Sequence, residues 1–278
     1  MAARADPIDA TLLLVGCGKM GGALLGGWLA RGVTPERVRI VEPAAVSGDI
    51  ALPHGDLVAV ADASAIEPDF HPDVVVLAVK PQVMAAAAPA YRRYAGPGTV
   101  FLSIAAGQTL AVLAGHLGDD AAIVRTMPNT PAAIGRGITV ACANGLVSAA
   151  QRALCEELMA AVGEVAWVAD EPLLDAVTGV SGSGPAYVFL MIECLAAAGV
   201  EAGLDAALAM RLARATVSGA GELVHVTGKD AATLRKNVTS PNGTTQAALD
   251  VLMADDGLRP LMTRAVAAAT RRSRELAK

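Results

Sequence analysis

The sequence predicts an α/β domain built on a parallel sheet, followed by an all-helical domain. Three observations predict it. Ahead of Asp170, short β-branched runs alternate with helical stretches. A glycine-rich turn sits between the first such run and the first helix. Beyond Asp170 no run reads as a strand, and long stretches of Ala, Leu, Met and Val follow one another. Strands separated by helices form βαβ units, whose crossovers align the strands in parallel. The expected division is 1–169 for the α/β domain and 170–278 for the helical one.

The elements follow in order. Thr11–Val15, Val38–Val41, Leu57–Val60, Val74–Val79, Val100–Ile104 and Ala122–Arg125 read as strands, with Ile138–Ala141 and Val165–Val168 completing the sheet. Met20–Arg31 is an apolar helix closed by Gly32, and Pro81–Tyr94 a helix whose proline suits a first turn. Ser148–Ala161 precedes the last strand. In the second part, Pro185–Ala198 is expected to stop at Gly199, Asp205–Val226 near Gly228 and Thr244–Ala254 near Gly257, while Arg259–Ala277 runs to the end. These helices are apolar nearly all round, so they must be buried on most faces. Packing on the sheet domain would cover them in part; an interleaved homodimer, the expectation here, would cover them more fully. Thr178–Pro185, dense in glycine and serine, lacks the Lys-Ser/Thr pair of a phosphate loop and reads as a tight helix crossing.

Composition narrows the function. The chain has 278 residues with 59 alanines, 54% apolar residues and 3% aromatics, which excludes intrinsic disorder. Net charge −5 argues against a nucleic-acid partner, which needs a basic face. The basic tail Arg271, Arg272, Arg274 and Lys278 reads as a solvated helix end. Mean hydropathy of +0.47 and the charge-free stretch between Arg93 and Asp119 raise a membrane question. Glycines, Pro97, Gln108 and His116 break that stretch into strand, turn and short helix, so no span is expected there. MAARADPIDA has no apolar core of a secretory leader. Cys17, Cys142, Cys155 and Cys194 have no metal-type spacing, so free thiols, a cytoplasmic setting and no metal are expected.

The first chemical motif is Gly16-Cys17-Gly18-Lys19-Met20-Gly21, directly after a strand and opening a helix. Gly16 permits a tight turn, Gly18 lets backbone approach a pyrophosphate, and Gly21 permits close helix–strand packing. The helix start adds unpaired N–H groups, and the fold class becomes a Rossmann-type dinucleotide-binding domain. Glu42 ends the second strand, roughly twenty residues past Gly21, where an acid bonds a ribose 2′-OH. A 2′-phosphate beside it would cost on the order of several kcal/mol, and Pro43–Ser47 offers no cation, so NADH is favoured over NADPH. A solvated carboxylate pointing away is the alternative.

Ligands in open α/β sheets bind outside the carboxyl ends of strands. Ala78, Val79, Lys80 and Pro81 after the fourth strand, and Ala105, Ala106 and Gly107 after the fifth, should therefore line the cofactor groove. Lys80 reads as a helix start rather than a Schiff-base lysine. Asn129 either donates its amide to the cofactor or substrate, or holds its loop by an Asx turn. A third cluster, Val238–Thr245, puts four hydroxyls and successive N–H groups at a helix start, an anion cradle suited to a carboxylate. Ordinary N-capping would explain one hydroxyl, not the set.

GCGKMG (16–21), AVKPQ (78–82), SIAAG (103–107), RTMPNTP (125–131), DAVTGVSGSGPAYVF (175–189) and VTSPNGTT (238–245) stand in order over nearly the whole chain. In these motifs the chain resembles the pyrroline-5-carboxylate reductases. It departs at Asn242, where the family usually shows glycine, and at Glu42, where NADPH-using members carry a small hydroxyl residue. The resemblance implies a Rossmann domain and a helical domain that interlocks with its twin as a homodimer, in some members as a decamer of five dimers. It implies NAD(P)H-dependent reduction of the cyclic imino acid 1-pyrroline-5-carboxylate to L-proline, without metal. Ser240, Asn242, Gly243, Thr244 and Thr245 would form the carboxylate site, Thr245 also orienting the ring nitrogen. A β-hydroxyacid dehydrogenase shares the glycine pattern but wants a lysine that Pro185–Ala198 lacks. A cofactor-binding protein without turnover is the other rival.

Overall fold

The computed structural model describes residues 7–48 and 51–277. The readings of residues 1–6 as leaderless and of Lys278 as part of the basic tail lie outside the described residues.

The first unit alternates as the sequence predicts: β1 (Leu12–Val15), α1 (Lys19–Ala30), β2 (Val38–Val41), a single turn α2 (Pro43–Val46), β3 (Val58–Val60), β4 (Val74–Leu77), α3 (Pro81–Ala87), β5 (Val100–Ser103), α4 (Leu110–Leu117), β6 (Ala122–Met127), β7 (Gly137–Ala143), α5 (Ala149–Ala160) and β8 (Gly163–Trp167). The eight strands form one sheet in the order β3-β2-β1-β4-β5-β6-β7-β8. Both faces of its central strands are buried, so β1, β4 and β5 are apolar at every position but Ser103. On one face Leu12, Leu14, Val76 and Leu102 pack with Leu24, Leu25 and Trp28 of α1 and Leu158 of α5. On the other, Leu13, Val75, Leu77 and Phe101 meet Met84, Tyr91, Leu113 and Leu117.

Two expectations need correction here. The sheet is not wholly parallel, because β7 runs antiparallel to β6. The connection from Met127 to Gly137 holds only a 3-10 stretch ending at left-handed Gly135, too short for a parallel crossover. The stretch Pro81–Tyr94 is not one helix: α3 ends at Ala87 and Ala88–Tyr94 tightens to 3-10, with Pro89 unable to supply a ladder N–H.

The helical part comprises α6 (Leu173–Val177), α7 (Gly184–Glu201), α8 (Ala206–Thr227), α9 (Ala231–Asn237), α10 (Thr244–Leu252) and α11 (Leu258–Leu276). Compact units divide after Gly182, and the first takes back the chain from Thr270. Strands stop near residue 170, but α6 and the π-helical turn Thr178–Gly182 still pack with the sheet: a methyl on Gly182 would lie 3.5 Å from Met127 Sδ.

The expected stop at Gly199 is also corrected, because α7 runs on to Glu201. Gly199 is a close-packing site, where a methyl would lie 3.2 Å from Ala209 Cβ of α8. Left-handed Gly203 (φ 99°) follows the true end. Small buried residues, Ala196, Ala209 and Ala213, line the α7–α8 seam, while Phe189, Leu190, Met191 and Leu195 stay exposed. The stretch Leu173–Glu201 is long and apolar enough to cross a membrane by length and composition.

Candidate active site

The sheet reverses its winding between β1 and β4, since β1 leads to β2 on one side and β4 to β5 on the other. A crevice opens at the carboxyl ends where winding reverses. Gly16 lies there with φ 91°, and a methyl on it would lie 2.9 Å from the Ala78 carbonyl. A side chain on Gly21 would collide with the Gly16 carbonyl. Gly18 differs: an added Cβ would meet nothing within 4 Å. It is also the N-cap of α1, and no side chain caps that helix. Space left open beside an uncapped twelve-residue helix fits a dinucleotide pyrophosphate. Lys19 is exposed, Met20 half-buried and Cys17 buried. Burial first, and then the charge of Glu42, push the Cys17 thiol up, so it stays neutral and unreactive.

Glu42 does not point away. Its Oε2 accepts the Cys17 N–H at 2.8 Å and its Oε1 accepts Ala44 N–H at 3.1 Å as the cap of α2. The carboxylate therefore faces the glycine turn.

Ala78 N–H bonds to Val15 O at 2.7 Å, continuing β1–β4 pairing to the crevice rim. Ala78 and Val79 are half-buried, and exposed Lys80 caps α3 without a side-chain bond, Pro81 taking the first helical position. After β5, Ala105 is buried, Ala106 exposed, and Gly107 turns left-handed at φ 73°. Asn129 holds its loop: Oδ1 accepts Ile138 N–H at 2.9 Å, and Nδ2 donates to Ser181 O at 3.3 Å.

Four residues of this region were not singled out from sequence. Arg125, 2% exposed, donates from Nη1 to Glu171 Oε1 at 2.7 Å, and the same oxygen accepts Leu110 N–H at 2.7 Å. Its Nε and Nη2 are buried without a hydrogen-bond partner, so Glu171 is its counter-charge. Ser273 Oγ donates to Asp175 Oδ1 at 2.7 Å, both side chains buried. One signal was available: an arginine inside the apolar strand AIVRTM must find a partner.

The other cluster lies in the second unit. Gly243 N–H bonds to Ser240 O at 3.0 Å, closing a turn with Pro241 and Asn242 between them. Asn242 has φ 59°, the one positive φ outside glycine among the described residues, as a type II turn requires of its third position. Gly243 caps α10, and no hydroxyl of the cluster caps the helix. The first amides of this nine-residue helix therefore have no side-chain acceptor, and the hydroxyls are not used for ordinary capping. Ser240, Asn242 and Thr244 are exposed, Gly243 and Thr245 half-buried.

Comparison with known proteins adds to this geometry. A family model described as pyrroline-5-carboxylate reductase dimerisation matches residues 171–276, and one described as NADP oxidoreductase coenzyme F420-dependent matches 11–107. The chain is 41% identical over 273 residues to a pyrroline-5-carboxylate reductase of Pseudomonas aeruginosa, covering 96% of each. It superposes on the structure of a pyrroline-5-carboxylate reductase from Coxiella burnetii with TM-score 0.89 and 34% identity, over 97% of this chain and 99% of that one. A Plasmodium falciparum pyrroline carboxylate reductase crystallised with NADP bound matches with TM-score 0.80 and 28% identity, over 98% and 99%.

Proposed function

The chain belongs to the pyrroline-5-carboxylate reductase family, and from that premise we propose which of its residues carry the reaction. It is an oxidoreductase that reduces 1-pyrroline-5-carboxylate to L-proline with NAD(P)H, and it self-associates through its helical part. The observation that carries the residue assignment is that the helix beside Gly18 and the helix after Gly243 both start at a glycine with no side-chain cap, each next to one of the two motifs.

The turn Gly16-Cys17-Gly18-Lys19-Met20-Gly21 holds the pyrophosphate, with Gly18 as the point of closest backbone approach. Glu42 receives the ribose. Its charge, one hydrogen bond from the turn, favours a 2′-hydroxyl over a 2′-phosphate, so NADH is the preferred donor. Ala78, Val79, Lys80 and Pro81 form one wall, Ala105, Ala106 and Gly107 the other, and Asn129 fixes the loop at its end. Bound there, NAD(P)H supplies a hydride from nicotinamide C4 to the imine carbon.

Ser240, Thr244 and Thr245, with the N–H groups of Thr244 and Thr245 that the Asn242–Gly243 turn presents, hold the substrate carboxylate. The Thr245 hydroxyl orients the ring nitrogen and relays the solvent proton that completes the amine. An alcohol is too weak an acid to be the proton source, so most of the acceleration comes from holding the reacting carbons in register.

The exposed face of α7 goes to a second copy in an interleaved homodimer rather than to a bilayer. Glu193 stands in mid-helix, where a charge in hydrocarbon costs about 2.5–3.5 kcal/mol. Three buried thiols and one exposed, unpaired in disulfides among the described residues, suit a reducing, cytoplasmic setting. Initial rates with NADH and NADPH on pyrroline-5-carboxylate, with L-proline identified as product, test the assignment. Sedimentation separates a dimer from a decamer of five dimers.

A further inference from the structure

We infer that the last turn of α11, with Asp175 and Glu171, forms a clip that positions the β5–α4 loop and thereby sets the affinity for NAD(P)H. The inference rests on the reading that Ala105–Gly107 wall the cofactor groove.

The loop is gripped at two points. At its far end, Thr109 caps α4 through Val112 N–H, and Glu171 Oε1 takes the Leu110 N–H at 2.7 Å. A carboxylate at a helix start is favourably placed, and Arg125 pins this one through the same oxygen. In its middle, Gly107 sits against the backbone of the last turn of α11, where a methyl would lie 3.0 Å from the Leu276 carbonyl. Leu276 itself is exposed, so the contact is made by main chain and depends on where that turn is held.

Ser273 holds it. Among nineteen residues of α11, Ser273 is the buried one, at 7% exposure, and its hydroxyl donates to the carboxylate of Asp175, at 8%. Arg274 Nε stands 3.8 Å from the other oxygen of Asp175. The last turn of a helix ordinarily frays. A buried, charge-assisted bond in the final turn counters that at the point where Gly107 needs a firm neighbour. Glu171 and Asp175 are four residues apart, so both grips lead back to one short segment. A loop held in its binding shape loses less freedom when ligand arrives.

The test uses the full-length enzyme without substrate. Ser273→Ala is expected to weaken NADH binding about three- to tenfold, read by cofactor fluorescence, and to speed amide exchange over 104–110. Ser273→Thr keeps the hydroxyl and should restore both. In steady state the alanine variant should raise KM for cofactor with kcat nearly unchanged. Wild-type affinity in Ser273→Ala, while cofactor still protects 105–107 in the parent enzyme, overturns the clip. Absence of that protection in the parent overturns instead the reading of the loop as a groove wall.

Discussion

The carboxylate of Glu42 reaches back to the main chain of Cys17, Oε2 to N at 2.8 Å, so the residue that closes β2 also fastens the glycine turn. Its second oxygen caps α2. One side chain therefore stabilises the turn and sets the charge at its rim.

Glu42→Ser removes the charge and the bond to Cys17 N–H together. Serine keeps the capping capacity for α2, so loss of stability stays near 1 kcal/mol. Removing the negative charge should raise kcat/KM for NADPH relative to NADH by at least tenfold. Initial rates with both cofactors read this directly, and an unchanged ratio would show that Glu42 does not face the ribose.

Gly16 and Gly18 should fail differently when changed to alanine. Gly16→Ala meets both positive φ and the Ala78 carbonyl, so thermal unfolding should fall by the equivalent of about 1–3 kcal/mol. Gly18→Ala has ordinary backbone angles and open space, so stability should drop by about 1 kcal/mol or less through the weaker cap. Its dinucleotide affinity should fall tenfold or more, measured by calorimetric titration. Unimpaired binding in Gly18→Ala removes that turn from the pyrophosphate site.

Thr245→Ala should lower kcat about ten- to hundredfold and raise KM for pyrroline-5-carboxylate. The circular dichroism spectrum should not change, because Gly243 rather than the threonine caps α10. Wild-type kinetics would strip Thr245 of its role.

Phe189→Asp places a charge on the exposed face of α7, where Phe189 is 59% exposed within one chain. The variant should sediment as monomer or aggregate and lose activity together with assembly. A fully active monomer would contradict an interleaved arrangement.

The strands were legible because burial on two sides leaves unbroken apolar runs such as LLLV and VVVL. The glycine turn was legible because its spacing has a mechanical cause at each position. Pairing direction was not: the reversal of β7 depends on how little chain separates it from β6, while periodicity is the same either way. Gly199 misled because a glycine that stops a helix and one that admits a neighbouring helix look alike in sequence. The longest-range parts of the site were least visible. Arg125 announced that it needed a partner, but Glu171 stands 46 positions away, and Ser273 lies 98 from Asp175. Nothing local distinguishes those acids from solvated ones.

The bare flank of α7 carries a kinetic consequence. The α7–α8 seam can zip within one chain, but the face bearing Phe189 and Leu190 finds no lining there. Maturation thus ends in a second-order step, which quickens as newly made chains accumulate and competes with clumping while they wait. Refolded from denaturant, the enzyme should regain activity with a half-time that shortens as its concentration rises.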